Sequence, residues 1–205
     1  MKRYAILGGV TVVALAILLC LSALLPTAVK TVTVTAQTAV KTALCPARVT
    51  DNTHLQVAIR ESLAATVKPG QAVTVRGVGF QKDTYRGTVA AVDDTATTQN
   101  GKTVLFGVIT LADTDDSLKP GLSATARITL NTMENAVVVK DPWTHSDARG
   151  TFVWTIRDGR ARQTYVSLGD TVDGGTLAAE LPVGTRVILS PASLSEGKRI
   201  REVTP

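Results

Sequence analysis

The sequence predicts a mainly β protein: an N-terminal transmembrane helix followed by a small β-barrel domain and a second β-rich domain. Thr, Val and Ile occupy 64 of the 205 positions, and β-branched side chains suit a pleated strand better than a helix. Short runs of alternating apolar and polar residues recur along the chain with Gly, Pro, Asn and Asp between them, as in a barrel or sandwich. One apolar block near the N-terminus departs from this pattern.

That block is Ala5–Leu25, which contains no charged residue. At 1.5 Å per residue its length matches a bilayer core of about 30 Å, and backbone groups in lipid must be satisfied within a helix. Lys2 and Arg3 precede it. We therefore expect residues 1–4 to form a cytoplasmic tail and residues 5–25 a single-pass anchor in the plasma membrane, with the bulk extracytoplasmic. A cleaved signal peptide, or a lipoprotein site at Cys20, is the alternative.

The charge of the outer region argues against nucleic acid as a partner. Lys2 and Arg3 are two of the 22 basic residues, so the chain beyond the anchor carries a net charge of only +3. Its basic residues are dispersed and no aromatic platform accompanies them.

Ten runs beyond the anchor alternate as strands. Asn100-Gly101 and Asp158-Gly159 predict hairpin turns, because both residues of such a turn adopt positive φ. The predicted strands are residues 31–35, 55–59, 72–78, 84–92, 103–111, 123–130, 136–139, 151–156, 161–168 and 186–190.

An internal echo marks the starts of several strands. Residues 67–72, VKPGQA, resemble residues 118–123, LKPGLS, and residues 181–184, LPVG, form a looser third copy. Pro presets φ at the second position of a type II turn and Gly supplies positive φ at the third. Each copy is therefore predicted to be a turn that starts a strand.

Five segments occur in an order typical of one family. They are residues 51–79 with a Leu-x-Val element, Glu61 and Gly70-Gln71; residues 85–89, YRGTV; residues 118–122, LKPGL; residues 150–169, GTFVWTIRDGRARQTYVSLG; and residues 181–188, LPVGTRVI. Together they resemble the membrane fusion proteins, or periplasmic adaptors, of the HlyD type, which accompany ABC and RND export pumps. The resemblance covers roughly residues 28–202.

The resemblance implies a non-catalytic adaptor subunit that docks on the extracytoplasmic face of an efflux transporter. It implies a linker with one strand over residues 26–50, a β-barrel domain over 51–131 and a membrane-proximal β domain over 132–205. Strands 151–168 and 31–35 would lie closest to the transporter. The expected partners are the membrane, an ABC or RND transporter, and either further copies of the chain or a full-length adaptor.

Two departures from the family pattern stand out. Only Ala43–Thr50 occupies the place of the family's lipoyl and α-hairpin domains, and Lys140-Asp141-Pro142-Trp143 replaces a Val-Pro followed by apolar residues. A minimal adaptor, a partner of a full-length adaptor and an internally deleted copy each fit this pattern. The rival interpretation is an anchored cell-envelope binding or structural module that is not associated with a pump.

No catalytic, cofactor-binding or metal-ligating residue is nominated, and the chain is not expected to be an enzyme. Residues 129–133, TLNTM, approach the sortase pattern TL-x-T-C, but Met133 provides no thiolate. Residues 144–147, THSD, contain triad residue types side by side and are predicted to form a solvated loop.

Three further groups were weighed as metal ligands or reactive residues. His54 has no Cys or His at ligand spacing. The Asp113–Asp116 segment lacks the Gly and Glu of a calcium loop. Cys45 is predicted to be an inert small residue, although a lone extracytoplasmic thiol also suits a cross-link between chains or a metal.

Overall fold

The computed structural model describes residues 26–99, 101–189 and 194–203, and these residues divide into two compact units. The barrel unit comprises Thr38–Asn135 and Asp170–Asp173. The second unit comprises the described residues within Met1–Gln37, Ala136–Gly169 and Gly174–Pro205. The predicted anchor at residues 5–25 lies outside the described residues. Among the residues that are described, no helix has the length and apolar character needed to cross a bilayer.

Strands and two 3₁₀ turns, Glu61–Leu63 and Asp141–Trp143, make up the regular structure of this part of the chain. The strands are β1 Thr27–Val29, β2 Thr31–Thr33, β3 Gln37–Val49, β4 His54–Arg60, β5 Ala72–Gly77, β6 Tyr85–Gln99, β7 Lys102–Leu111, β8 Ser123–Ala136, β9 Val138–Val139, β10 Thr144–Asp147, β11 Gly150–Arg157, β12 Arg160–Tyr165, β13 Thr171–Val172, β14 Gly175–Leu177, β15 Arg186–Ile188 and β16 Ile200–Glu202.

Six strands close the barrel in the order β3-β4-β7-β6-β5-β8. Because side chains alternate across a strand, every second residue enters the core. Leu55, Val57 and Ile59 of β4 are fully buried, and Val75 of β5 packs into the same cluster as Ile128 of β8. The mainly β fold class and its barrel are therefore confirmed.

Strand β3 lies within the stretch that the sequence assigns to a linker. Its residues Ala43, Cys45, Ala47 and Val49 are buried in the barrel core, and the intervening positions from Leu44 to Arg48 are exposed. The core-facing side chains are mostly small, so their apolar alternation is weak. The exposed Pro46 interrupts it further. The barrel therefore uses residues N-terminal to the predicted start at residue 51.

The long β6–β7 hairpin turns between Gln99 and Lys102, which pair with each other. Gly101 has a φ of 72°, as the predicted Asn-Gly turn requires, while Asn100 lies outside the described residues. The pairing shifts register twice along the hairpin, once between Val89 and Ala91 and once between Val92 and Ala96. These irregularities bend the hairpin away from regular barrel pairing.

The three echoed segments form turns of one design. In each, the Gly has a φ near 90° and an N–H closes the turn onto the carbonyl three residues earlier. The bonds are Gln71 N to Lys68 O at 3.4 Å, Leu122 N to Lys119 O at 3.3 Å and Thr185 N to Pro182 O at 3.2 Å, with φ of 88° at Gly70, 90° at Gly121 and 88° at Gly184.

Each turn is also fixed to a valine distant in the sequence by two reciprocal backbone bonds. In the second copy, Gly121 N–H donates to Val49 O at 2.8 Å and Val49 N–H donates to Leu122 O at 2.9 Å. Val89 serves the first copy and Val34 the third in the same way. The apolar residue that precedes each turn is buried, namely Val67, Leu118 and Leu181. The three similar segments therefore share one structure: a turn fixed by two backbone hydrogen bonds and preceded by a buried apolar residue.

The second unit is built from short strands around two small cores. Strand β11 pairs with β10, β12 and β15, and β15 pairs with β2. Strands β1 and β16 form a parallel pair, and β14 pairs with β9. One core contains Val153 and Val187, and the other contains Phe152, Trp154 and Ile188. Successive residues of β11 thus supply opposite cores.

The predicted solvated loop at residues 144–147 is instead strand β10, paired antiparallel with β11. The prediction was wrong because Thr-His-Ser-Asp has low strand propensity overall and gains its conformation from the partner strand. His145 lies opposite Phe152, and their rings are 5.7 Å apart between centroids.

Candidate functional site

The groups weighed as reactive from the sequence occupy separate, structural positions. Cys45 faces the barrel core, and burial raises the pKa of its thiol. In the ranges that the structure describes, no group of three or more His, Cys, Asp or Glu residues is placed to hold a metal ion. The candidate sites described below are surfaces of the two units.

The acidic segment at residues 113–116 is fixed to the barrel strand β6 through Asp115. The hydroxyl of the fully buried Tyr85 donates to Asp115, and Ser117 donates its backbone N–H to the same carboxylate at 2.9 Å. The hydroxyl of Ser117 also donates to Asp115, at 2.5 Å. These bonds, those from Ser117 first and that from Tyr85 second, lower the pKa of Asp115. Phe80 packs edge-on against Tyr85 at 5.4 Å.

His54 participates in a turn rather than a metal site. The Asp51 carboxylate accepts the backbone N–H groups of Thr53 at 2.8 Å and His54 at 2.9 Å, and it also accepts the Thr53 hydroxyl at 2.7 Å. His54 Nδ1 lies 3.1 Å from Asp51. The hydrogen bonds from Thr53 contribute most to lowering the pKa of Asp51 to about 2. The carboxylate stabilises the connection between β3 and β4.

A groove of about 570 Å³ lies on the outer wall of the barrel, and we call it the barrel groove. Leu44, Thr74, Arg76, Thr125 and Arg127 line it. Thr74 lies opposite Arg127 and Arg76 opposite Thr125 on β5 and β8, so the two arginines are diagonal neighbours on one face. Leu44 is 55% exposed. The groove combines positive charge with an exposed apolar side chain.

The segment Asp170–Asp173 is attached to the same wall by its carboxylates. Asp170 lies 2.8 Å from Lys41 Nζ, and Asp173 accepts Arg127 Nη1 at 3.2 Å and the Thr42 hydroxyl at 3.0 Å. The Asp173 N–H donates to Val40 O at 2.8 Å. Arg127 is thus partly neutralised, whereas Arg76 bonds only a hydroxyl, that of Thr84, among the side chains described.

A second candidate surface, the hairpin face, is formed in the second unit by Asp147, Arg149, Gln163, Tyr165 and Glu196. Arg149 lies over the Tyr165 ring at 4.8 Å and donates to Gln163 Oε1 at 2.8 Å. The Tyr165 hydroxyl donates to Asp147 at 2.7 Å. Gln163 N–H donates to Glu196 at 2.7 Å.

The electrostatics of the hairpin face favour fixed charges. The bond from Tyr165 is the largest cause of the lowered pKa of Asp147, and the backbone N–H of Gln163 is the largest cause for Glu196. Desolvation, followed by the bond to Asp147, raises the pKa of Tyr165. Both carboxylates therefore remain ionised and the phenol remains neutral near neutral pH, beside the Arg149 guanidinium. The arrangement suits recognition of a partner surface.

Sequence reasoning located β12, which carries Gln163 and Tyr165 of the hairpin face, but it missed β10, which carries Asp147, and it missed the barrel groove. The groove depends on the register of β5 against β8, which brings Arg76 and Arg127 to one face. Period-2 alternation places each arginine on the outer side of its own strand. This alternation does not show that β5 and β8 are neighbours, and the groove could therefore not be predicted from the sequence.

The class of domain is a closed antiparallel β-barrel whose turns are fixed to its wall by backbone hydrogen bonds. Residues 54–132 match the family model described as the CusB-like β-barrel domain. The match runs from the start of β4 into β8. The resemblance to membrane fusion adaptors is therefore confirmed for this chain through its barrel.

Individual relatives agree with the family model. The chain is 32% identical to the multidrug resistance protein MdtA of Yersinia enterocolitica over 97 residues, which is 46% of this chain and 22% of MdtA. The crystal structure of MacA from Actinobacillus actinomycetemcomitans superimposes with a TM-score of 0.53 at 19% identity and covers 67% of this chain and 42% of MacA. The chain thus spans under half the length of these proteins, and the structural likeness shows a shared fold.

Proposed function

We propose that the chain is a non-catalytic accessory subunit, or adaptor, of an export transporter. The observation that carries the proposal is the match of residues 54–132 to the CusB-like barrel model. The 32% identity to a multidrug resistance protein supports it. The surfaces described above carry groups suited to binding a protein partner, such as the Arg149 guanidinium stacked over the Tyr165 ring.

The proposal places the chain at the plasma membrane. Residues 5–25 are the single-pass anchor and residues 1–4 remain in the cytoplasm, since Lys2 and Arg3 precede the apolar block. The barrel domain, which adds β3 to the predicted stretch 51–131, and the membrane-proximal domain over 132–205 then lie outside the cytoplasm. The bilayer and a transporter of the ABC or RND class are the partners, with further copies of the chain or a full-length adaptor completing the assembly.

We assign docking on the transporter to the hairpin face. Its side chains are already ordered by mutual contacts, such as Arg149 with Tyr165 and Gln163. Preordered side chains lose little conformational entropy when a partner binds. Tyr and Arg are also the residue types that contribute most to protein interfaces.

The test is co-purification of the tagged full-length chain from membranes of its own cells, with mass spectrometric identification of what accompanies it. We expect an ABC or RND transporter in stoichiometric amount. The variant Arg149→Ala is expected to reduce its recovery at least tenfold. The matched variant Arg86→Ala, at an exposed arginine of the barrel strand β6, is expected to leave recovery unchanged.

A monomeric chain that recovers no transporter would contradict the proposal and favour the anchored envelope module. Equal loss of transporter with Arg149→Ala and Arg86→Ala would contradict the assignment of the hairpin face alone.

A further inference from the structure

The segment Lys140-Asp141-Pro142-Trp143 departs from the adaptor pattern, and its first and last residues, Lys140 and Trp143, border a cavity of about 160 Å³ in the second unit. Val34 and Val138 supply apolar walls, and both are buried. Trp143 and Lys140 also line it, and Thr33, Thr35 and Gln37 contribute polar groups to the lining. The cavity is therefore lined by polar and apolar groups in about equal measure, with an aromatic ring and a cation on one side.

The 3₁₀ turn over Asp141–Trp143 fixes the ring beside the cation. Trp143 N–H donates to Lys140 O at 2.9 Å, and the Thr144 hydroxyl donates to Asp141 O at 2.8 Å. Residues three apart eclipse one another in this helix type, so the two side chains lie together and Lys140 Nζ is 5.7 Å from the Trp143 ring centroid. Trp143 also packs against the core that contains Val34 and Val139. The core contacts thus fix the position of the indole ring.

The charge of Lys140 is not used in an ion pair. Within the described residues, no carboxylate lies at salt-bridge distance from its ammonium group, which contacts the indole face instead. An exposed cation–π contact contributes only about 0.5–1 kcal/mol. An incoming anion therefore replaces a weak interaction with a charge-assisted hydrogen bond.

The dimensions of the cavity restrict the ligand. A cavity of about 150 Å³ has room for a benzene ring, and this one, at about 160 Å³, is of similar size. We propose that the cavity binds a small aromatic carboxylate, with the ring against Trp143 and the two valines and the carboxylate on Lys140. The inference goes beyond the adaptor role and does not depend on it.

The full-length chain contains two tryptophans, Trp143 and Trp154, which makes a direct test available. Trp154 belongs to the other core of the unit and serves as an internal control. With ¹⁵N-tryptophan-labelled protein in detergent micelles, the two indole N–H signals are followed during titration with sodium benzoate at constant ionic strength. Trp143→Phe identifies the signal of Trp143.

We expect benzoate to shift the Trp143 signal saturably, with a dissociation constant of about 1 mM, and to leave the Trp154 signal in place. Lys140→Met should weaken benzoate binding about tenfold, whereas Lys140→Arg should retain it. The control Lys102→Met, at the exposed start of β7, should have no effect. Benzyl alcohol should bind wild type and Lys140→Met equally.

Four results would overturn the inference. They are a Trp143 signal that does not saturate, equal shifts of both tryptophans, benzoate binding that is indifferent to Lys140→Met, and benzylamine binding as tightly as benzoate. A Trp143 signal that moves on dilution of the protein alone would assign the cavity to a second copy of the chain and would equally contradict the carboxylate.

Discussion

Replacement of Leu118 by alanine tests whether the buried residue before each Pro-Gly turn holds the barrel together. Leu118 is 2% exposed and packs in the barrel core, immediately before the Lys119–Leu122 turn. Truncation of a buried leucine costs about 2–5 kcal/mol, because apolar contact is lost and a cavity remains. We expect the free energy of unfolding of the barrel to fall by about 3 kcal/mol.

Hydrogen exchange at two amides reports this loss directly. Gly121 and Val49 are joined by the reciprocal bonds that fix the turn, so their N–H groups exchange when the barrel opens. A loss of about 3 kcal/mol corresponds to exchange that is about 100-fold faster, since each 1.4 kcal/mol is about tenfold. The measurement is NMR-detected exchange of both amides in wild type and Leu118→Ala.

The matched control is Leu44→Ala, which removes the same atoms from a side chain that is 55% exposed. Its expected cost is below about 1 kcal/mol, because surface substitutions change stability little. Equal acceleration of exchange in the two variants would refute the proposed role of the buried residue before the turn.

Three further outcomes are expected. Gly121 has a φ of 90°, and no atom lies within 4 Å of a Cβ added there, so an alanine would meet backbone strain without a steric clash. Gly121→Ala should therefore lower the free energy of unfolding in urea by about 1–2 kcal/mol. An unchanged urea midpoint would exclude backbone strain at this position. Folding lowers the pKa of Asp51 from 3.8 to about 2, so its contribution to stability is present above about pH 4 and is lost as the pH falls through about 2. Asp51→Asn should therefore reduce the fall of the thermal midpoint with pH in acid. A midpoint that falls with pH as steeply as in the wild type would contradict this. Burial raises the pKa of Cys45, so a thiol reagent at pH 8 should modify it only in denaturant. Rapid labelling of Cys45 itself in the folded chain, distinguished from Cys20 by peptide mapping, would place Cys45 at the surface.

The features of the fold that the sequence predicted are those determined by residues close together in the chain. The turns at residues 67–72 and 118–123 require Pro and Gly at fixed positions, and the structure gives both glycines positive φ. Strand β4 alternates large apolar residues with polar ones, so its location followed from the pattern alone.

The unpredicted part depends on partners distant in the sequence. Strand β3 buries small residues and contains Pro46, and only the closure of the barrel against β4 and β8 makes it a strand. Strand β10 similarly depends on β11. The cavity beside Trp143 depends on residues more than a hundred positions apart, Val34 and Val138 among them. Local propensity contains no information about such pairings.

Co-purification of the tagged full-length chain from its native membranes tests the central claim most directly. The adaptor account predicts that an ABC or RND transporter accompanies the wild-type chain and the Arg86→Ala variant, and that Arg149→Ala reduces its recovery at least tenfold. Recovery of the chain alone, as a monomer without any transporter, would contradict the account.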